Sequence, residues 1–436
     1  MRAEKRKRYV ITMMSMVLLA LAPLSYLRVL FAVPHLRDTA VGAVSGVYST
    51  VTDRNDQVIF KGYHLYESVY GNLLGQDSLI DNSLHSLYQD ELKVNGFNPL
   101  TGISSISEKN RSTLKTTLLS QNDMQKIITK FGAYEGCVFA YDYVTGEVLV
   151  ALSVPSSLDE TATSTGMWNR CLRTCYIPGS TMKIVAAACA LEQNPDLLHT
   201  KFTCTGSTKL PDTSVVKCHG VHGAINLSDA LGYSCNCYMA NLISQLDVTQ
   251  TQSLLEQMGI AQHGNQTYGH IDKLTYRGSS TTFDSTDSFD SVWSLIGQGN
   301  TQSNPVGMAM IAAAVVNQGE TATPYLVASI QRGNRTTYTA QSGQTQSLLK
   351  ANTSHLLSEI WRSAVDAHYR SGSNQMDNSI THAKSGTAQL GDGTHNRFMM
   401  GVMEESHVAF FIAVEKIPPN NNLPAQIANL LANILK

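Results

Sequence analysis

Residues 382–416 read HAKSGTAQLGDGTHNRFMMGVMEESHVAFFIAVEK. Three strand-like runs stand in this stretch: HAKSGTAQL, RFMMGVME and HVAFFIAVEK. Far upstream, GCVFAYDYVTGEVLVALS (136–153) holds two more, flanking the turn in YDYVTGE, and reads as a hairpin. Helical stretches dominate between, over 180–191, 227–233, 237–246 and 305–317, and PAQIANLLANILK closes the chain as a helix. Strands at both ends with helices between them predict an α+β domain. Its antiparallel sheet joins the N- and C-terminal strands, and a helical insert lies in the middle.

The earlier part of the chain has a different character. The whole chain, at 436 residues, suffices for two or three domains. MRAEKRKR is basic, and the apolar run that follows from Tyr9 has about the length that a spanning helix needs. We expect an uncleaved anchor over 9–31, with residues 1–8 in the cytoplasm and the rest outside. A cleaved signal peptide is the alternative, but no small-x-small cleavage pattern follows the apolar run. Residues 34–130 form a short segment. It holds a hairpin in VYSTVTDRNDQVIF, turning at Asn55-Asp56, and an amphipathic helix from Ser120 with Met124, Ile127 and Ile128 on one face. SSTTFDSTDSFDS (279–291) reads as a polar loop.

Charged residues make up only 15% and the net charge is −2, so neither a basic stripe for nucleic acid nor an acidic tail is present. Of the eight cysteines, Cys204 and Cys218 flank a turn-rich loop; a disulfide there and a pair of free thiols are both open readings. A metal site from Cys218, His219 and His222 matches no strong zinc spacing, so no metal or cofactor is expected.

Three short patterns carry chemistry. In YIPGSTMKIVAAACALEQ (176–193), Ser180 and Lys183 stand one helical turn apart after a Pro-Gly turn. A serine hydroxyl needs a neighbouring base to become a nucleophile, and burial in an apolar helix lowers a lysine's pKa toward that use. S-x-x-K alone is weak; it recurs at Ser112, Ser214 and Ser347. In GYSCNCY, Ser234 and Asn236 lie between helical runs, where a hydroxyl can relay a proton and an amide can hold a substrate backbone. The bland reading is a capped turn, and S-x-N recurs at Ser120. In HAKSGTAQL, Lys384 and Thr387 offer a cation and a hydroxyl to a carboxylate. Gly386 inside a strand marks the close approach of another backbone. An ordinary edge strand with a surface lysine is the competing reading.

In this order, S-x-x-K, S-x-N and K-S-G resemble the penicillin-binding transpeptidase family. The likeness extends over 131–436, through FTCTG, HGAINLSDALGYSCN and GQGNTQSNPVGMAMIAAAVVNQG; VTDRNDQVIF resembles the start of the non-catalytic domain of class B members. The resemblance implies a β-lactamase/transpeptidase-like fold, a pedestal over 34–130 and a catalytic domain over 131–436. It implies that Ser180 is the acyl-accepting nucleophile, Lys183 its base and Ser234 a proton relay. Asn236, Lys384, Ser385, Gly386 and Thr387 would bind substrate, with the backbone N–H groups of Ser180 and Thr387 as oxyanion hole. The expected reaction is D-Ala-D-Ala transpeptidation of peptidoglycan stem peptides at the bacterial cell membrane, blocked by β-lactam antibiotics, with a membrane glycosyltransferase as partner. A serine β-lactamase or β-lactam sensor, and a catalytically silent scaffold of the division or elongation machinery, are the alternatives. Arg397 stands where many relatives carry an aromatic, which bears on acceptor choice. Cys235, if unpaired beside the pocket, would be open to oxidation.

Overall fold

The computed structural model describes residues 50–61, 69–74, 83–88, 91, 112–156, 169–372 and 375–436. The segment expected to anchor the chain lies outside them. Among the described residues no helix is long and apolar enough to cross a membrane.

The central sheet has five antiparallel strands. β1 (Gly136–Asp142) and β2 (Val148–Val154) are the upstream hairpin; β3 (His382–Gln389), β4 (His395–Met403) and β5 (Val408–Ile417) come from the opening stretch. Their order is β3-β4-β5-β1-β2, so the first and last parts of the chain meet where β5 pairs β1, Val408 opposite Asp142. The β1–β2 turn is held by Asp142, whose carboxylate accepts from the Val144 and Thr145 N–H groups at 2.8 and 2.9 Å.

Consecutive residues of β5 from Val408 to Val414 are all buried, although they point alternately to opposite faces. Helices must therefore cover both sides. α1 (Gln121–Phe131), N-capped by Ser120, and α6 (Leu423–Leu435) pack on each other and on the sheet. α4 (Pro305–Val316) packs on β1, β4 and β5. Its start is set by Asn304, whose side chain accepts from Val306 N–H at 2.9 Å, and by Pro305 in the first turn. α2 (Met182–Gln193), α3 (Asn236–Ile243) and α5 (Ala351–His368) form the helical insert. Residues Met182 to Glu192 are all buried, so α2 is a core helix and not an amphipathic one.

Two elements depart from expectation. The polar run 279–291 contains the strand Ser279–Thr281 and the start of the helix Phe289–Leu295; neighbouring segments supply ladder partners that the run's composition does not advertise. The hairpin strands Thr50–Thr52 and Val58–Lys61 form as expected, but their sheet also takes Ser112–Thr116 and, from far downstream, Val327–Arg332 and Arg335–Thr339.

Candidate active site

Ser180 does not lie in the α-helix itself. It sits in a 3-10 turn, Gly179–Thr181, that runs into α2 at Met182. The turn is pressed against β3. Gly179 has φ +57°, and a Cβ there would stand 2.5 Å from the Thr387 nitrogen. A Cβ on Gly386 would stand 2.4 Å from the Pro178 carbonyl oxygen. The nucleophile turn and the strand are thus in backbone-to-backbone contact, as the glycine inside the strand suggested.

Lys183 is fully buried, one turn on. Its ammonium donates to the Ser234 carbonyl at 2.5 Å, the Ser234 hydroxyl at 3.2 Å and the Asn236 side-chain oxygen at 2.7 Å. Asn236 is oriented by donating its amide to the Lys217 carbonyl at 3.0 Å. Ser234 occupies the left-handed region at φ +58°, in the turn that ends at the start of α3. Lys384, also fully buried, donates to the same Ser234 hydroxyl at 3.1 Å and to the Ser385 carbonyl at 3.0 Å. One hydroxyl therefore bridges two buried lysines. Burial, and then the charge of Lys384, push Lys183 well below the ordinary lysine range; burial pushes Lys384 down to about 7. Among the described residues no hydrogen bond joins Ser180 to Lys183, whose ammonium is turned toward Ser234 and Asn236.

Ser180, Ser234, Asn236, Ser385 and Thr387 line a cleft of about 690 Å³, with Trp293, Gln298 and Pro419 on its walls. All eight residues singled out from the sequence come together here, with one difference in aspect. Lys384 belongs to the buried face of β3, while Ser385 and Thr387 are on the half-exposed face. Strand alternation sends residues three apart to opposite sides, so Lys384 and Thr387 do not present a cation and a hydroxyl side by side. Neighbours that sequence reasoning missed hold the strand in place. Tyr369 accepts from the Ser385 N–H at 3.1 Å and lies 3.0 Å from its hydroxyl; Trp361 donates to the Ala383 carbonyl at 2.8 Å; Gln298 donates to the Thr387 carbonyl at 3.0 Å.

Residues 136–435 match the family model of the penicillin binding protein transpeptidase domain. The chain belongs to this family. The peptidoglycan D,D-transpeptidase PbpA of Mycolicibacterium smegmatis is 25% identical over 233 residues, 46% of this chain and 44% of its own length. PbpA of Mycobacterium tuberculosis is 25% identical over 226 residues, with the same shares. The match spans under half the length of these curated relatives. The solved structure of penicillin-binding protein A from M. tuberculosis as a ceftriaxone acyl-enzyme complex has a TM-score of 0.74 at 18% identity, covering 90% of this chain and 99% of that one. The D,D-transpeptidase domain of a peptidoglycan glycosyltransferase from Eggerthella lenta gives 0.72 at 18%, covering 90% and 98%. Likeness at that identity establishes the α+β transpeptidase fold.

Four further residues of this penicillin-binding domain bear on the site. Arg397 pairs opposite Thr387 and turns its guanidinium to the Pro419 carbonyl at 3.2 Å and to that of Asn421. Cys235 is fully buried and N-caps α3, which removes it from the oxidant-exposed position expected of it. Cys204 and Cys218 come close but form no disulfide; all eight cysteines are free thiols.

Proposed function

We propose that this chain is a serine D,D-transpeptidase that cross-links peptidoglycan stem peptides through an acyl-enzyme on Ser180. The observation that carries the reading is the Ser234 hydroxyl shared by Lys183 and Lys384 in the cleft that Ser180 lines. Once Lys183 gives up its proton, its nitrogen regains a lone pair and can take the Ser180 proton as that oxygen attacks the D-Ala-D-Ala carbonyl. The Ser180–carbonyl bond forms, the peptide bond to the terminal D-Ala breaks, and the proton passes through Ser234 to the leaving amine. An acceptor amine then reverses the sequence. Backbone N–H groups of Ser180 and Thr387 stabilise the oxyanion; losing one such donor typically costs about 10²–10³ in rate.

β3 is an edge strand, so a stem peptide can lie along it in extended form. Asn236 holds the peptide backbone. Ser385 and Thr387 meet the terminal carboxylate, with the charge of Lys384 beneath them. β-Lactams acylate Ser180 in the same way. Residues 1–8 remain in the cytoplasm, 9–31 anchor the chain in the bacterial membrane, and 34–130 form a pedestal. The catalytic domain, 131–436, works outside beside a membrane glycosyltransferase.

Labelling with a fluorescent penicillin, followed by mass spectrometry, tests the assignment. Wild type should carry one long-lived adduct on Ser180, and Ser180→Ala none. Rapid turnover of the adduct would point to a hydrolase, and labelling of Ser180→Ala would refute the nucleophile.

A further inference from the structure

With Cys218 on the lining of the cleft itself, four side chains from separate segments converge. The ligand atoms of Cys204, Cys218, His222 and Cys235 all lie within 4.8 Å of one another. Cys204 ends the strand Phe202–Cys204, and His222 immediately precedes the strand Gly223–Ile225 that pairs with it. Cys218 follows the strand Val215–Lys217, and Cys235 N-caps α3 between Ser234 and Asn236.

The spacing inside the cluster suits a metal. In a tetrahedral zinc site, bonds of about 2.3 Å to sulphur and about 2.0 Å to imidazole nitrogen set two sulphurs about 3.8 Å apart, and a sulphur about 3.5 Å from a nitrogen. Cys218 Sγ lies 3.7 Å from Cys235 Sγ and 3.6 Å from His222 Nδ1. Two sulphurs already receive backbone donors, as thiolates do: Asn236 N–H to Cys218 at 3.3 Å and Tyr238 N–H to Cys235 at 3.4 Å. The His222 ring is held by stacking on Tyr233, with centroids 5.0 Å apart.

We propose that Cys204, Cys218, His222 and Cys235 bind one zinc ion in a closed tetrahedral site that clips the Ser234–Asn236 turn to the small strands in front of it. Binding displaces the three thiol protons and takes the imidazole neutral. Four protein ligands leave no open position for water, so the site is structural. The segment it clips has need of it. The pairs Phe202–Cys204 with Gly223–Ile225 and Ser207–Lys209 with Val215–Lys217 are both two-stranded, a unit that is marginal by itself. The same clip fixes the residue between the two that hold Lys183, which makes Cys235 a positioning residue.

The test uses the full chain. Metal analysis of the purified protein should find about one zinc per chain, and cobalt exchange should produce thiolate-to-cobalt charge transfer with tetrahedral visible bands. His222→Ala, on a half-exposed loop, and Cys235→Ser should lose the metal while circular dichroism reports retained fold; Cys175→Ser should keep it. Chelation should speed tryptic cleavage after Lys209 and Lys217. The proposal is overturned by a wild-type chain that takes up neither zinc nor cobalt after anaerobic reconstitution. It is equally overturned by a disulfide among Cys204, Cys218 and Cys235 in the purified chain, by unchanged zinc in both ligand variants, or by cleavage indifferent to the chelator.

Discussion

Gly386→Ala should slow acylation of Ser180 about 100-fold without unfolding the protein. The added Cβ would stand 2.4 Å from the Pro178 carbonyl oxygen, 3.0 Å from Thr181 Cγ2 and 3.2 Å from Phe398 Cδ2. Ordinary contact begins near 3.4 Å, so the nucleophile turn and β3 must part by about 1 Å. A displacement of that size costs roughly 10² in rate when it separates reacting groups. Here it separates Ser180 from Thr387, the two donors proposed for the oxyanion. Gly386 is not among the residues with positive φ, so alanine meets no backbone penalty and the effect is steric. Overpacking should cost about 1–3 kcal/mol of stability, which a melting curve reads separately. Gly391→Ala, in the turn after β3, is the control: a Cβ there meets nothing within 4 Å. The assay is the second-order rate of labelling by a fluorescent penicillin. Labelling of Gly386→Ala at the wild-type rate, or equal slowing by Gly391→Ala, would refute the claim that this contact sets the catalytic geometry.

The acylation rate should rise with pH along a limb below the ordinary lysine range, because Lys183 must lose its proton to act and its pKa is lowered. Above about 7, Lys384 loses its charge and binding of carboxylate-bearing substrates should weaken, giving a bell when rates are measured by stopped flow. Lys384→Met removes a positive neighbour, so the rising limb should move to higher pH; the other groups acting on Lys183, the sulphurs of Cys218, Cys235 and Cys237, are left in place by it. Asn236→Asp places a carboxylate against Lys183 and should hold it protonated, cutting acylation by about 10² or more at neutral pH; an unimpaired rate would show that Lys183 is not the base. Arg170 is 7% exposed and binds Glu415, 18% exposed, at 2.9 Å, with Tyr176 donating to the same carboxylate at 2.8 Å. Arg170→Ala leaves that carboxylate without its cation and should cost about 3 kcal/mol in denaturant unfolding; a loss under 1 kcal/mol would mean that water replaces the arginine freely.

Local patterns carried much of the architecture. Strand-like runs, broken by short polar turns, made the three C-terminal strands and the upstream hairpin readable, because strand and turn preferences act over a few residues. Their joining into one sheet followed from the need of each strand to bury its faces. Where composition misled, as in 279–291, the ladder partners came from flanking segments outside the run, Ile260–Gln262 and Thr301–Gln302. No local preference foretold that Val327–Arg332 would pair with Ser112–Thr116.

The site divides in the same way. The Pro-Gly-Ser turn before a buried helix, the glycine inside a strand and the order of the three short patterns are properties of neighbours along the chain, and the sequence by itself determined them. Strand parity was equally available there, and it already put Lys384 and Thr387 on opposite faces. Tertiary structure alone decided which groups each lysine meets: Ser234 and Asn236 lie far along the chain from Lys183, and Ser234 farther still from Lys384. It also decided the low pKa of both lysines, because desolvation is set by everything packed around a group. The sulphur cluster shows this most plainly. Cys218, His219 and His222 matched no strong zinc spacing; His219 is not part of the cluster, and Cys204 and Cys235 join Cys218 and His222 only because a strand end and a helix cap are folded onto the same point.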